Sequence, residues 1–293
     1  MSGGRPAGVA EAALQGRSCL VTGASSGIGE ETALALAGLG ARVLLVCRSR
    51  ERGERSRERI VRRSGNQAVD LLLADFASLA AVRQLAAEVL ATCPALHLLV
   101  NNAGVVNLQR STTVDGLETT FAVNHLAHFL LTNLLLDRMR ESAPARIVNV
   151  ASNGHKFGKL DFDDLQSERD YSWMRVYGSS KLANIVFTYE LARRLEGTGV
   201  TANCLHPGAV ATRLGHNNGR LGPIVTTLLK PFFLSSARGA ATSIYLAAAA
   251  EVEGVSGKYF FRRRETASSP ASHDRADALR LWQESSRLTG LET

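Results

Sequence analysis

Short apolar runs alternate with longer stretches of helical spacing along most of the chain. Residues 17–22, 41–47, 67–74, 96–100, Ala145–Val150, Val200–Leu205 and 257–261 read as strands, being short, apolar and closed by turn residues. Residues 30–39, 78–92, 116–139, the segment from Tyr177 to Leu195, and 237–250 carry apolar positions at helical spacing, and the basic stretch after the second strand continues as a helix. The run at 96–100 is almost wholly apolar, as a parallel strand covered on both faces requires. Alternating strands and helices predict an α/β fold, and 293 residues suit one large domain or two small ones. No Pro- or Ser-rich linker divides the chain and no internal repeat is visible.

The ends and one internal stretch stand apart from this rhythm. Residues 1–16, rich in Ala and Gly, read as a flexible tail, leaving 17–293 as the folded unit. Residues 220–236 are apolar but contain Pro223 and Pro231, so they cannot form one regular helix. A segment between a site loop and the next helix is well placed to act as a substrate lid; core packing is the competing reading. Residues 262–293, with Arg262-Arg263-Arg264 and a polar helix near 274–288, form a C-terminal extension.

Three strand ends carry chemistry. After the first strand comes Gly23-Ala24-Ser25-Ser26-Gly27-Ile28-Gly29, opening a helix. Glycines there let the backbone turn tightly and approach a pyrophosphate, whose charge sits well on the free N–H groups of a helix start. At the end of the second strand, where an NAD site would carry an acidic residue for the ribose 2′-hydroxyl, stands Cys47-Arg48-Ser49-Arg50. Arg48 can clamp a 2′-phosphate, which favours NADP(H), or it can belong only to the basic helix that follows. Asp75, closing the third strand and followed by Phe76, can accept a hydrogen bond from an adenine amino group. Asn101-Asn102-Ala103-Gly104 after the fourth strand and Ser152 after the fifth lie on the same crevice edge.

Tyr177 and Lys181, four residues apart on a helix, point the same way. An ammonium beside a phenol favours the phenolate, so the pair reads as an acid/base with the tyrosine pKa brought down. Asn124, inside an apolar helical stretch, needs partners, either backbone and water or a catalytic role. His206, before Pro207-Gly208, reads as a packed or capping residue rather than a base.

Charge and cysteine content narrow the remaining classes. The formal charge of +7 owes most to residues 48–63, with eight Arg against three Glu, which reads as a solvated helix face rather than a nucleic-acid surface. Cys19, Cys47, Cys93 and Cys204 are far apart, which argues against a disulfide framework or zinc site and fits a reducing, cytoplasmic setting. No apolar run reaches the ~18 residues of a membrane span, although peripheral membrane contact stays open.

Thr22-Gly-Ala-Ser-Ser-Gly-Ile-Gly29, Asn101-Asn-Ala-Gly104, Ser152, Tyr177-x3-Lys181 and Pro207-Gly208, in this order, resemble the short-chain dehydrogenase/reductase family over about residues 17–261. Asn124-His-Leu-Ala-His-Phe-Leu-Leu-Thr-Asn133, Phe162-Asp-Asp-Leu-Gln-Ser-Glu168 and Leu205-His-Pro-Gly208 are similar to its retinol dehydrogenase-like branch. The resemblance implies a single Rossmann-like, doubly wound domain with a seven-stranded parallel sheet. It implies catalytic roles for Asn124, Ser152, Tyr177 and Lys181: Tyr177 exchanges the proton, Lys181 tunes it and holds the ribose, Ser152 orients the carbonyl, and Asn124 holds a water. The expected cofactor set is Gly23, Ser25, Ser26, Gly27, Ile28, Gly29, Arg48, Asp75, Phe76, Asn102, Ala103, Gly104, Tyr177, Lys181, Pro207, Gly208, Val210 and Thr212, with no metal. The implied activity is NADP(H)-dependent interconversion of an apolar alcohol and its aldehyde or ketone; a non-catalytic NADP(H)-binding regulator is the alternative. In relatives the helix pair carrying Asn124 and Tyr177 forms homodimer or homotetramer contacts, and many members have a serine where Ala151 stands.

Overall fold

Nearly every residue of the central strands is buried, so both faces of the sheet are covered. The computed structural model describes residues 13–208 and 235–291. Its strands are β1 (Ser18–Thr22), β2 (Arg42–Cys47), β3 (Val69–Leu73), β4 (Leu98–Asn101), β5 (Ala145–Val150), β6 (Val200–Leu205), β7 (Tyr259–Phe261) and β8 (Arg264–Glu265). They lie in the order β3-β2-β1-β4-β5-β6-β7-β8. Parallel pairing runs from β3 to β7, whereas β8 pairs antiparallel with β7. The expected seven parallel strands are thus extended by one short edge strand. Its turn, Arg262-Arg263, has φ of 50° and 63°, values more often supplied by Asn-Gly, so no residue type there marks a hairpin.

The helices are α1 (Gly27–Gly38), α2 (Arg50–Ser64), α3 (Leu79–Thr92), α4 (residues 119–141), α5 (Trp173–Arg194), α6 (Ser236–Ala248) and α7 (Arg275–Thr289). Strand alternation sorts them into two layers. Cys19, Val21, Val43 and Leu45 pack with Leu36 of α1, Ile60 of α2 and Leu246 of α6. Leu20, Leu44, Val46 and Leu99 pack with Leu85 of α3, Phe129 of α4 and Phe187 of α5. Because β1 lies between β2 and β4, the order reverses there, and the crevice opens at the carboxyl strand ends.

Local chemistry sets the helix bounds. Ser49 and Ser78 accept the N–H groups of Arg52 and Ala81, and Gly65 ends α2 at φ 75°. The fourth helix starts at Thr119 rather than 116, since Gly116 occupies a left-handed turn and Glu118 accepts the N–H groups of Thr120 and Phe121. It also contains a π-helical turn, Ala122–Leu126, before regular helix resumes at Ala127–Glu141. Two arginines of the basic helix pair across the layer with α1: Arg59 with Glu30 at 2.6 Å and Arg63 with Glu31 at 3.2 Å. Leu14, within the expected tail, is buried and donates its N–H to the Leu39 carbonyl. No helix among the described residues is long and apolar enough to cross a membrane.

The C-terminal extension covers the α4/α5 pair. Trp282 of α7 sits with ring centroids 5.1 Å from Phe129 and 5.8 Å from Phe187, under the Arg194 guanidinium at 3.9 Å. The pair that the family resemblance assigns to contacts between subunits therefore carries part of its own chain. Replacing Trp282 by alanine is expected to cost about 3 kcal/mol of stability by opening a cavity between α4 and α5. Urea unfolding checks this, and a loss under about 1 kcal/mol would show that α7 is not part of the core.

Candidate active site

The carboxyl ends of the strands enclose a cleft of about 420 Å³. Its floor is the turn after β1, where Gly23 and Gly27 take φ of 68° and 66°. A side chain on Gly29 would bring Cβ to 2.5 Å from both Asn102 Nδ2 and the Gly23 carbonyl, so this position must be glycine. Ser26 starts α1 without a side-chain cap, leaving the first helical N–H groups open to an anion. The turn is tied to the loop after β4: Asn102 Nδ2 donates to the Thr22 carbonyl at 2.8 Å, and Thr22 Oγ1 accepts the N–H groups of Asn102 and Ala103 at 2.9 and 3.0 Å. A concave backbone cradle with an open helix start fits a dinucleotide pyrophosphate.

Every cofactor residue expected from the sequence lines this cleft except Val210 and Thr212, which lie outside the described residues. The expected lid at 220–236 also falls outside them, apart from its last two residues. Arg48 is exposed at the end of β2, and Arg52, one helical turn later, lines the cleft beside it. Sequence reasoning missed Arg52 inside the charge run; its spacing of four from Arg48 was the available signal. Asp75 accepts the Ala77 N–H at 3.0 Å, and Phe76 forms apolar wall. Thr119 and Val123 also line the cleft, at positions no motif marks.

Ser152, Tyr177 and Lys181 converge at the other end. Lys181 is buried; its Nζ donates to the Val150 carbonyl at 3.1 Å and lies 5.8 Å from the Tyr177 ring centroid. Burial lowers the Lys181 pKa to about 8. Burial also raises the Tyr177 pKa above its ordinary value, against a smaller opposing effect of the Ser152 hydrogen bond. In the free protein burial therefore sets the direction of the Tyr177 pKa, opposite to the lowering expected from its lysine.

Asn124 is fully buried behind the cleft wall. It donates to the Val105 carbonyl and Ser180 Oγ, both at 3.0 Å, and accepts the Val105 N–H at 2.7 Å. It thus ties the loop after β4 to α5. His206 is a packed capping residue, as expected: its Nδ1 accepts the Gly208 N–H and its ring stacks on Phe261 at 4.0 Å. All four cysteines are buried and unpaired.

Residues 17–220 match the family described as short chain dehydrogenase. The chain is 45% identical to retinol dehydrogenase 13 of Homo sapiens over 292 residues, covering 96% of this chain and 87% of that protein. It is 46% identical to retinol dehydrogenase 14 of Homo sapiens, covering 95% and 88%. Among solved structures, an uncharacterized protein from Mycobacterium Paratuberculosis matches with TM-score 0.77 and 31% identity over 97% of this chain and 98% of that one. The Pseudomonas aeruginosa RhlG/NADP active-site complex matches with TM-score 0.67 and 28% identity over 84% and 94%.

Beside the cleft, burial holds His125 and His128 neutral, with pKa values of about 4 and about 3. Unfolding releases both to the ordinary value near ~6.5, so their contribution to stability is full above that pH and is lost as pH falls below it. Between pH 6 and 5 the two add about two protons to the uptake on unfolding. His125→Phe is expected to reduce that uptake by about one proton, measured from urea unfolding against pH; an unchanged slope would contradict the buried neutral state.

Proposed function

We propose, from the premise that the chain belongs to the short-chain dehydrogenase/reductase family and is a retinol dehydrogenase-like oxidoreductase of the CH–OH group, that it uses NADP(H) to interconvert an apolar alcohol and its aldehyde or ketone. The observation that carries this reading is one cleft with Tyr177, Lys181 and Ser152 at one end and Arg48 and Arg52 at the other. A bound nicotinamide supplies or accepts the hydride and, when oxidised, brings a positive charge into the cleft. The remaining work falls to the chain itself.

Tyr177 gives its phenolic proton to the substrate oxygen in reduction and takes it back in oxidation. The Ser152 Oγ accepts the Gly154 N–H at 3.1 Å, which leaves the serine proton for the phenol or the substrate oxygen. Lys181, sharing a buried site with the phenol and titrating near neutrality, supplies or withholds positive charge as the phenol ionises. Asn124 fixes the helix that carries both through Ser180. The guanidinium groups of Arg48 and Arg52 favour a 2′-phosphate, since no carboxylate stands at the end of β2 to take a ribose hydroxyl. Apolar wall residues such as Val105 and Val123 suit a lipophilic carbonyl, in keeping with the retinol named for the relatives. The buried, unpaired cysteines suit a cytoplasmic setting.

Tyr177→Phe is expected to lower turnover by ~100-fold or more while NADPH still binds, since general acid/base groups contribute at least that much. Near-normal turnover would remove Tyr177 from the mechanism. Joint replacement of Arg48 and Arg52 by alanine should shift the NADPH-to-NADH preference by about tenfold or more, the loss of one charge-assisted contact. Steady-state kinetics with both nucleotides checks this; an unchanged ratio would place 2′-phosphate recognition elsewhere.

A further inference from the structure

His128 lies one turn after Asn124 on α4, buried, and it does not line the cleft. Its two ring nitrogens touch two different parts of the site. Nδ1 is 3.1 Å from the backbone carbonyl of Asn124, and Nε2 is 3.2 Å from Thr22 Oγ1. A carbonyl oxygen only accepts, so the proton sits on Nδ1. In the neutral ring Nε2 is then an acceptor, and the Thr22 hydroxyl donates to it. The Val100 carbonyl is the longer alternative for that proton, at 3.4 Å. With its proton given to His128, Thr22 Oγ1 turns both lone pairs to the N–H groups of Asn102 and Ala103. Phe76, itself a wall of the cleft, packs edge-on against the imidazole at 5.3 Å and 72°, fixing its plane.

We propose that His128 is a positioning residue with two arms: Nδ1–H holds the Asn124 carbonyl inside the π-helical turn, and Nε2 orients the Thr22 hydroxyl and thereby the Asn102-Ala103 wall of the cleft. The assignment rests on the dinucleotide reading of that cleft. It makes the ring the link between the nucleotide turn after β1 and the helix behind Lys181. One tautomer satisfies every group in the chain from Asn124 through Thr22 to Ala103.

The two arms can be cut separately. The Asn side chain places its amide near the Nδ1 position of histidine, whereas Gln reaches towards the Nε2 position. His128→Asn should therefore keep the Asn124 arm and raise the NADPH dissociation constant about tenfold, with turnover at saturating NADPH within about twofold. His128→Gln should keep the Thr22 arm, with NADPH affinity within about twofold and turnover on an apolar aldehyde reduced about tenfold. His128→Leu should show both losses. Amide hydrogen exchange of Asn102 and Ala103, read by NMR without cofactor, should accelerate in His128→Asn and His128→Leu and stay near the parent rate in His128→Gln.

A drop in melting temperature alone, with affinity, turnover and exchange unchanged in His128→Asn and His128→Gln, would reduce His128 to packing and overturn the proposal. Identical behaviour of those two variants would overturn the division into arms. A parent protein that binds neither NADPH nor NADH would overturn the functional reading instead. In that case the exchange pattern still decides whether His128 orients Thr22.

Discussion

Lys181 places an ammonium where almost no water reaches, with the Val150 carbonyl at the end of β5 as its hydrogen-bond acceptor. Burial makes that charge costly, and much of the molecule is arranged around the cost. Its pKa falls towards neutrality while that of Tyr177 rises, so both groups rest closer to their uncharged forms than they would in water. A site in this condition responds strongly to a charge brought in from outside, because little solvent is present to screen it. In the proposed reaction, substrate oxygen, cofactor and the two side chains form one electrostatic unit rather than a lysine acting on a tyrosine.

Such a unit must be held rigidly, and the fold supplies the rigidity by close backbone approach. The order reversal between β1 and β4 brings the glycine turn against the Asn102 loop, with no room for a side chain at Gly29. Hydrogen bonds between Thr22 and Asn102, and from Asn124 to Val105 and Ser180, then tie together β1, β4, α4 and α5. The π-helical turn falls at Asn124, where a regular register would present the side chain differently. Packing from α7 backs the same helices from outside, through Trp282 and the hydrogen bond between Ser285 and His125.

Much of this was legible in the sequence because the signals were local. The strands Ala145–Val150 and Val200–Leu205 were read to the residue, their turn residues being unambiguous. Tyr177 and Lys181 were paired by their spacing on one helix, while the glycine turn and Ser152 were marked by their place at strand ends. What escaped was determined by contacts between distant segments. Arg52 was hidden in a charge run, and the two-residue edge strand depended on an Arg-Arg turn of unusual backbone geometry. His128 interrupts an apolar run in the sequence, but its contact with Thr22, over a hundred positions away, is visible only in the fold. Spacing along the helix reveals the neighbouring lysine but not the loss of water that raises the Tyr177 pKa in the free protein.

The most direct test of the account is spectrophotometric titration of the Tyr177 phenol, taken as the difference between the protein and Tyr177→Phe, with and without NADP+. The account predicts ionisation above the ordinary value of ~10 in the free protein and a clear downward shift when NADP+ is bound. Ionisation below that value without nucleotide, or a pKa unmoved by NADP+, would contradict it.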